Sequence, residues 1–169
     1  MYEELEKLNA DIIKWADDRK ILENGKAITQ MDKTIEEIEE LIDAVARDRV
    51  DEMPGQAKEE VKDAIGDVYV TLVVGLAIDD LQVPPQLIKP SPAKHPVREL
   101  IKSVFLLGGC FMVGNQPMRL MQVGIMMNLL AAIAEKYGST LRECVQQAYD
   151  EIRDRKGYLN ADGVFVKES

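Results

Sequence analysis

Apolar residues recur at the three- and four-residue spacing of an α-helix through most of this chain. The first stripe, which includes Leu5, Leu8 and Ile12, predicts a helix from about Tyr2 to Glu23. The same reasoning predicts five further helices, which begin at Thr29 or Asp32, Pro54, Val97, Pro117, and Ser139 or Thr140, and end at about Val50, Asp80, Met112, Lys136 and Lys156. The pattern predicts an all-α fold, a bundle of about five or six helices.

Two segments lie outside these helices. An irregular connector spans about residues 83–96, where five prolines leave little room for a helix. After the last helix, residues 158–166 carry a turn signal between short apolar pieces, which predicts a small C-terminal hairpin. The 169 residues are most simply one domain.

Composition argues against several classes of function. Hydrophobic residues make up 46% of the chain, which is typical of a globular protein. The net charge of -9 argues against a general nucleic-acid binder, because phosphate contacts need clustered Lys and Arg. His95 is the single histidine, so the sequence gives little support to a His-based zinc site, a Ser-His-Asp triad or an HD-domain phosphohydrolase.

Cysteine usage and the lack of targeting signals bear on the compartment. Cys110 and Cys144 lie in apolar or helical surroundings, so we predict buried free thiols rather than a disulfide. The N-terminus is acidic and amphipathic rather than a signal sequence. No segment has the long uncharged apolar run that spans a bilayer. We therefore expect a cytoplasmic protein without a membrane partner.

Two acidic clusters lie one helix apart and are the clearest chemical clue. The first occupies residues 36–40, and the second occupies residues 60–67 and runs straight into the apolar residues 68–74. A carboxylate at the start of such a run is costly to desolvate unless a cation meets it. If the two helices pack antiparallel, the clusters face each other and suit a hard divalent cation.

A solvated helix face is the simpler interpretation of each glutamate taken alone. Such a face is supported by ion pairs, for example Lys33 with Glu37. Helical spacing places Glu37 at the border of the apolar stripe and Glu40 further round, while Glu39 is ordinary surface charge. Asp67 is harder to explain in this way, because the apolar run follows it immediately.

The order of these motifs resembles that of the MazG-like nucleoside triphosphate pyrophosphohydrolases of the phage and Firmicute type. The family's E-E-x-x-E pattern falls on residues 36–40, and its E-L-G-D-V type of string falls on residues 64–68. Residues 148–157 are similar to the family's final helix, and residues 163–167 to its tail. The resemblance extends over two parts of the chain, about residues 3–81 and 118–168.

The resemblance implies an all-α enzyme, dimeric or tetrameric, that uses Mg²⁺ or Mn²⁺. Such an enzyme hydrolyses an NTP or dNTP between the α and β phosphates. By position, Glu37, Glu40 and Asp67 resemble metal ligands, and Glu36 resembles a supporting carboxylate. The group that orients or deprotonates the attacking water is then Glu36 or Glu40.

One position departs from the family pattern. The Glu of the family's E-x-x-D motif falls on Ala64, which cannot bind a metal ion. Asp63 or Glu60, from an E-x-x-D one turn earlier, could supply the missing carboxylate. The alternative function is a helical interaction or scaffold protein that kept the fold and lost catalysis.

A nucleotide substrate would also need cationic and nucleoside contacts. Trp15 could stack on a base or pack in the core. Asn128 is either a helix-packing residue or a substrate contact, and Tyr149 either packs in the core or contacts the ribose. Basic residues near the end of the last helix could bind phosphate or complement the helix dipole. The candidate phosphate-binding residues are Lys33, Arg153, Arg155, Lys156 and Lys167.

The fifth predicted helix is rich in methionine, which suits either the core or a subunit interface. Together with apolar residues of the fourth helix, such as Phe105 and Phe111, it carries more apolar surface than a lone bundle needs. We therefore predict a homodimer or homotetramer.

Overall fold

The computed structural model describes residues 2–50, 56–161 and 165–168, apart from the side chains of Tyr2 and Lys167. Over these residues the chain is almost entirely helical, with seven α-helices, a 3-10 turn at Pro85–Leu87 and a two-stranded antiparallel sheet. The elements are α1 (Tyr2–Asp18), α2 (Ile21–Asn24), α3 (Ala27–Val50), α4 (Gln56–Ala77), α5 (Pro96–Met112), α6 (Gln116–Lys136), α7 (Leu141–Ile152), β1 (Gly157–Leu159) and β2 (Phe165–Lys167).

This architecture confirms the predicted all-α bundle with a small C-terminal hairpin. In the hairpin, Gly157 pairs with Lys167 and Leu159 with Phe165. The predicted connector is irregular apart from its one 3-10 turn. Thr140 caps α7 in a capping box with Glu143, as its position in the sequence predicts.

The structure differs from the predictions at four helix boundaries, one of which is the end of α4, at Ala77 rather than at about Asp80. The first predicted helix divides at Lys20, whose φ of 62° is left-handed and incompatible with a continuous helix. The next helix begins at Ala27, before both predicted caps. The last ends at Ile152 rather than Lys156, and the Arg19 guanidinium hydrogen-bonds the carbonyl oxygens that follow it. The predicted start at Pro54 lies outside the described residues.

Helix α4 is the central element and packs against α1, α3, α6 and α7. Its residues from Ala64 to Val74 are buried with one exception, Asp67, which is only partly buried. Such a helix is apolar nearly all round, as expected for a core element. Both cysteines are buried and free, which confirms that prediction.

Gly66 sets the close contact between α4 and α7. A Cβ at this position would lie 2.3 Å from the carbonyl oxygen of Cys144 and 2.7 Å from the Cβ of Ala148. Only glycine allows this approach. It places the neighbouring Asp67 beside the end of α7.

Helices α5 and α6 form a hairpin joined by residues 113–115. The Asn115 side chain accepts a hydrogen bond from the Met118 backbone N–H at 3.0 Å, which caps α6. No membrane-spanning segment was predicted, yet α6 is long and apolar enough by length and composition. However, 61% of that stretch is buried in the protein, as in the core helix of a globular fold.

Candidate functional site

Helices α3 and α4 run antiparallel. Three levels of the pair demonstrate this: Gln30 lies against Gly75, Glu37 and Asp67 line one pocket, and further along Arg47 pairs with Glu60 at 2.9 Å. The two acidic clusters therefore lie on neighbouring helices that face each other, as the sequence analysis anticipated.

The α3–α4 pocket is a cavity of about 260 Å³ that also touches α1, α2 and the C-terminal segment. This volume is slightly below the roughly 300–1,000 Å³ of most small-molecule sites, so a nucleotide would extend beyond it. Its polar lining combines two carboxylates with three basic groups and two hydroxyls, from Glu37, Asp67, Lys26, Lys33, Arg155, Thr29 and Thr71.

Asp67 is the most strongly perturbed carboxylate that lines the pocket. The pKa of Asp67 is raised from its ordinary value of 3.8 to about 7. Burial is the largest cause, and the nearby charges of Asp63, Glu37 and Glu151 add to it, while Arg155 opposes it. A carboxyl group with this pKa is about half protonated at neutral pH, and groups with such strongly shifted pKa values concentrate at functional sites.

Glu37 shares this environment from the α3 side. Its side chain is 15% exposed, and its Oε1 lies 3.5 Å from the Lys33 ammonium. Burial raises the pKa of Glu37, and Glu40 and Glu36 add to the rise, while Lys33 opposes it. The pocket thus holds two carboxylates that each bear an unfavourable charge.

Basic side chains line the same pocket. Lys33 also pairs with Glu36 at 2.5 Å, and Arg155 lies 3.6 Å from Glu151. Lys26 is a third cation in the lining. Positive and negative groups therefore meet in one small cavity, which is the charge pattern that a metal-bound phosphate needs.

An aromatic wall closes the pocket on the α1 side. The Trp15 indole N–H donates to the carbonyl oxygen of Ile152 at 2.8 Å, and its ring meets Phe165 edge to face with centroids 5.6 Å apart. The Arg19 guanidinium lies 4.8 Å from the Trp15 ring centroid and donates to the carbonyl oxygen of Arg155. Trp15 is therefore a rigid, partly buried wall residue.

The other predicted carboxylates do not line the pocket. Glu36 and Glu40 are exposed on α3. Glu60 forms an ion pair with Arg47 near the end of the α3–α4 pair, away from the pocket. Asp63 accepts a hydrogen bond from the Gln147 amide at 3.3 Å, and its charge acts on Asp67 from the α7 side.

Several predicted substrate contacts also lie elsewhere. Asn128 holds the proline-rich connector through two hydrogen bonds. Its Oδ1 accepts one from the Lys89 backbone N–H, and its backbone carbonyl oxygen accepts one from the Ser91 backbone N–H. Tyr149 is partly buried and packs against the core, outside the pocket lining. Arg153 and Lys156 are exposed, and the Lys167 side chain is outside the described residues.

Besides the lining residues Thr29, Gln30 and Thr71, four residues of this region were not among the predicted site residues. Lys26 and Phe165 line the pocket, Arg19 supports its wall, and Glu151 acts electrostatically on Asp67. Burial raises the pKa of Glu151, and Asp63 raises it further. Lys26 lies seven residues before Lys33, which is about two helical turns, and this spacing could have identified it. The other three come from remote parts of the chain.

The donor set of the pocket can be compared with the needs of a divalent cation. Within the three described ranges, no three His, Cys, Asp or Glu side chains lie close enough to hold a metal ion by themselves. Mg²⁺ is usually held by one or two carboxylates together with substrate phosphates and waters. Glu37 and Asp67 fit that pattern, and a cation would relieve the cost of their buried charges.

A second hollow of about 590 Å³ lies between α3, α5 and α6. Its rim is basic, with Arg49, Arg98 and Lys136, but no carboxylate lines it. Of these two cavities, only the α3–α4 pocket is lined by carboxylates. The chain has no match among family models, curated proteins or solved structures.

Proposed function

We propose that this protein is a Mg²⁺-dependent nucleoside triphosphate pyrophosphohydrolase and that the α3–α4 pocket is its active site. One observation carries the proposal: Glu37 and Asp67, from the two acidic motifs on facing helices, line one pocket with Lys26, Lys33 and Arg155. The motif order that resembles the MazG-like enzymes gives this arrangement its substrate class and its products, a nucleoside monophosphate and pyrophosphate.

Glu37 and Asp67 would hold the metal ion. Bound there, Mg²⁺ supplies neutralisation of the phosphate oxygens and a lower pKa for the attacking water. The predicted ligand Glu40 lies on the exposed side of α3. Its proposed role is electrostatic, because the Glu40 carboxylate raises the pKa of Glu37.

The basic residues would bind and orient the triphosphate. Lys33 balances the charge of Glu37 in the absence of substrate, and a phosphate could take its place as partner of the ammonium. Arg155 approaches from the C-terminal segment and can bind phosphate oxygens bidentately. Trp15 and Phe165 would exclude water from one side and offer an aromatic edge to the nucleoside.

Proton removal from the attacking water needs a carboxylate near the pocket. Glu36 and Glu40 are the residues predicted for this role, and both are exposed. Glu37 is the residue of the same motif that lines the cavity, but it is assigned to the metal ion, so Glu36 and Glu40 remain the two candidates for the base. Separate E36Q and E40Q variants would identify the base, since only its loss changes the pH dependence of kcat.

The direct test is product analysis with a panel of NTPs and dNTPs in Mg²⁺ or Mn²⁺. We expect pyrophosphate and the monophosphate, which ³¹P NMR distinguishes from the orthophosphate and diphosphate of γ-cleavage. Isothermal titration of Mg²⁺ with and without a non-hydrolysable nucleotide should give much tighter binding with the nucleotide. Release of orthophosphate, or no release from any substrate, would contradict the proposal.

A non-catalytic scaffold is the second candidate. Two observations favour it: Ala64 stands where a metal ligand is expected, and no three ligand side chains cluster among the described residues. On this alternative, the whole nucleotide panel is inert and the Asp67→Asn variant keeps every binding property of the wild type.

A further inference from the structure

The outer side of the α5–α6 hairpin is strongly apolar. Phe105 is 78% exposed and Met112 is 90% exposed. The hairpin face, as we define it, comprises seven exposed residues of this hairpin: Phe105, Leu106, Met112, Val113, Met118, Met121 and Ile125. They follow helical spacing on each helix, opposite residues that pack on the core. The two exposed stripes therefore run along the same length of the hairpin.

The hairpin face lacks the charges that normally keep a helix surface solvated. Between Lys102 and Glu135 the sequence has one charged residue, Arg119, and this side chain is buried and paired with Asp79. By contrast, charged residues make up 30% of the whole sequence. An uncharged and exposed apolar stripe is therefore specific to this part of the molecule.

Gly109 is a second, independent observation. It lies inside α5, between the levels of Phe105 and Met112, and a Cβ at this position would meet nothing within 4 Å. Glycine disfavours a helix interior, and no contact among the described residues requires it here. A partner backbone that approaches closely at this level would require it.

We propose that the hairpin face is the interface between two copies of this chain, in which two α5–α6 hairpins form a four-helix bundle. The exposed area of the seven residues is on the order of 900 Å² if a large apolar residue contributes about 200 Å². A stable protein interface needs about 800 Å² from each partner. A two-fold contact places the face against itself, so no charge is buried.

The charge of the protein makes a lipid surface a poorer occupant. The net charge is -9, and the nearest charged residues on α5, Glu99 and Lys102, pair with each other at 2.9 Å. Helices that lie on membranes carry an excess of Lys or Arg beside the apolar face. The second copy matches the uncharged, symmetric character of the face better.

The test is the mass of the full chain by light scattering and sedimentation equilibrium across a range of concentrations. We expect the wild type at twice or four times the 19.0 kDa chain mass. The F105E/M112E variant should weaken the contact by at least about 100-fold, because four charges would be buried in each interface. It should be a monomer, or a dimer if the wild type is a tetramer with a second interface.

A matched control carries the same two changes elsewhere. Val50 and Leu87 are 82% and 63% exposed, so V50E/L87E adds the same charge away from the hairpin face and should keep the wild-type mass. Gly109→Ala should also weaken association while the monomer keeps its helicity and becomes slightly more stable. This variant keeps the proposal testable if F105E/M112E does not fold.

Three results would overturn the proposal. The first is a monomeric wild type at the highest concentration measured. The second is an F105E/M112E variant that folds and keeps the wild-type mass. The third is a wild-type monomer that floats with phosphatidylcholine vesicles while F105E/M112E does not, which would assign the face to lipid. Nucleotide hydrolysis is not part of these readouts, so the result is independent of the proposed function.

Discussion

The α3–α4 pocket and the hairpin face depart from the usual distribution of polar and apolar groups in opposite directions. In the pocket, carboxylates of Glu37 and Asp67 are withdrawn from water; on the hairpin face, Phe105 and Met112 are held out in it. Each arrangement costs stability in the isolated chain. We accordingly propose a different partner for each region: a cation with phosphate for the first, and an apolar surface for the second.

The largest expected effect comes from removing the buried charge in the pocket. Asp67→Asn should lower kcat/KM for the nucleotide by about 1,000-fold or more, equivalent to about 4 kcal/mol, because a metal-holding carboxylate is lost. The same variant should melt at a higher temperature at pH 8, since its buried charge is gone. Loss of activity with a gain of stability would distinguish a functional carboxylate from a structural one.

Glu39→Gln is the matched control for this experiment. Glu39 is exposed on α3, within the same acidic motif, and does not line the pocket. Its kinetics and melting temperature should equal those of the wild type. An Asp67→Asn enzyme within twofold of wild-type activity would contradict the role assigned to Asp67.

The pH dependence of stability sharpens the same contrast. The pKa of Asp67 is raised from 3.8 to about 7, so between these values the folded protein holds a proton that the unfolded chain has released. Stability from this group is therefore fully present below pH 3.8 and is lost as the pH rises towards 7, by at most about 1.4 kcal/mol per pH unit.

Urea unfolding of the wild type and Asp67→Asn from pH 4 to pH 8 would measure this loss. The difference between their unfolding free energies should change across that window and level off above pH 7. Mg²⁺ with a nucleotide analogue should flatten the wild-type curve. Parallel curves for the two proteins would show that Asp67 does not carry a raised pKa.

Two glycines give a contrast in packing between the two regions. Gly66→Ala should lower the unfolding free energy by about 1–3 kcal/mol, because its Cβ would collide with the Cys144 carbonyl and force α4 and α7 apart. Gly109→Ala should raise that of the monomer by about 0.5–1 kcal/mol, since its Cβ enters open space. Denaturant melts in the F105E/M112E background would compare them without association; equal effects would refute the difference in packing.

The smallest expected effect on catalysis concerns the phosphate contacts. Lys33→Gln should raise KM by about tenfold with a smaller change in kcat, because one charge-assisted contact to phosphate is lost. Lys14→Gln is the control, because Lys14 forms the same kind of helical ion pair, with Asp18, outside the pocket. Equal KM values for the two variants would remove Lys33 from the substrate site.

Local patterns predicted the helices and the two carboxylates that share the pocket. Asp67 stood out because it directly precedes an apolar run, and Glu37 because it borders an apolar stripe. Both inferences depend only on the spacing of apolar residues within a single helix. The role of Thr140 as the N-cap of α7 was equally predictable, since the capping box depends on residues three positions apart.

Features that depend on distant residues were not predictable in this way. Arg19 and Phe165 meet at the pocket wall only because the fold brings α1 against the C-terminal hairpin. Glu151 acts on Asp67 because Gly66 lets α7 approach α4 closely. The break at Lys20 needs a left-handed backbone that no local rule favours for lysine.

The contact between α1 and the end of the chain also has a consequence for the order of folding. The Trp15–Ile152 and Arg19–Arg155 hydrogen bonds join residues 137 and 136 positions apart. Contacts of such long range form late, because a large loop must close first. On the ribosome, the bundle can begin to pack while the pocket still lacks a wall, so the competent site should appear only after the last helix and hairpin have emerged and docked.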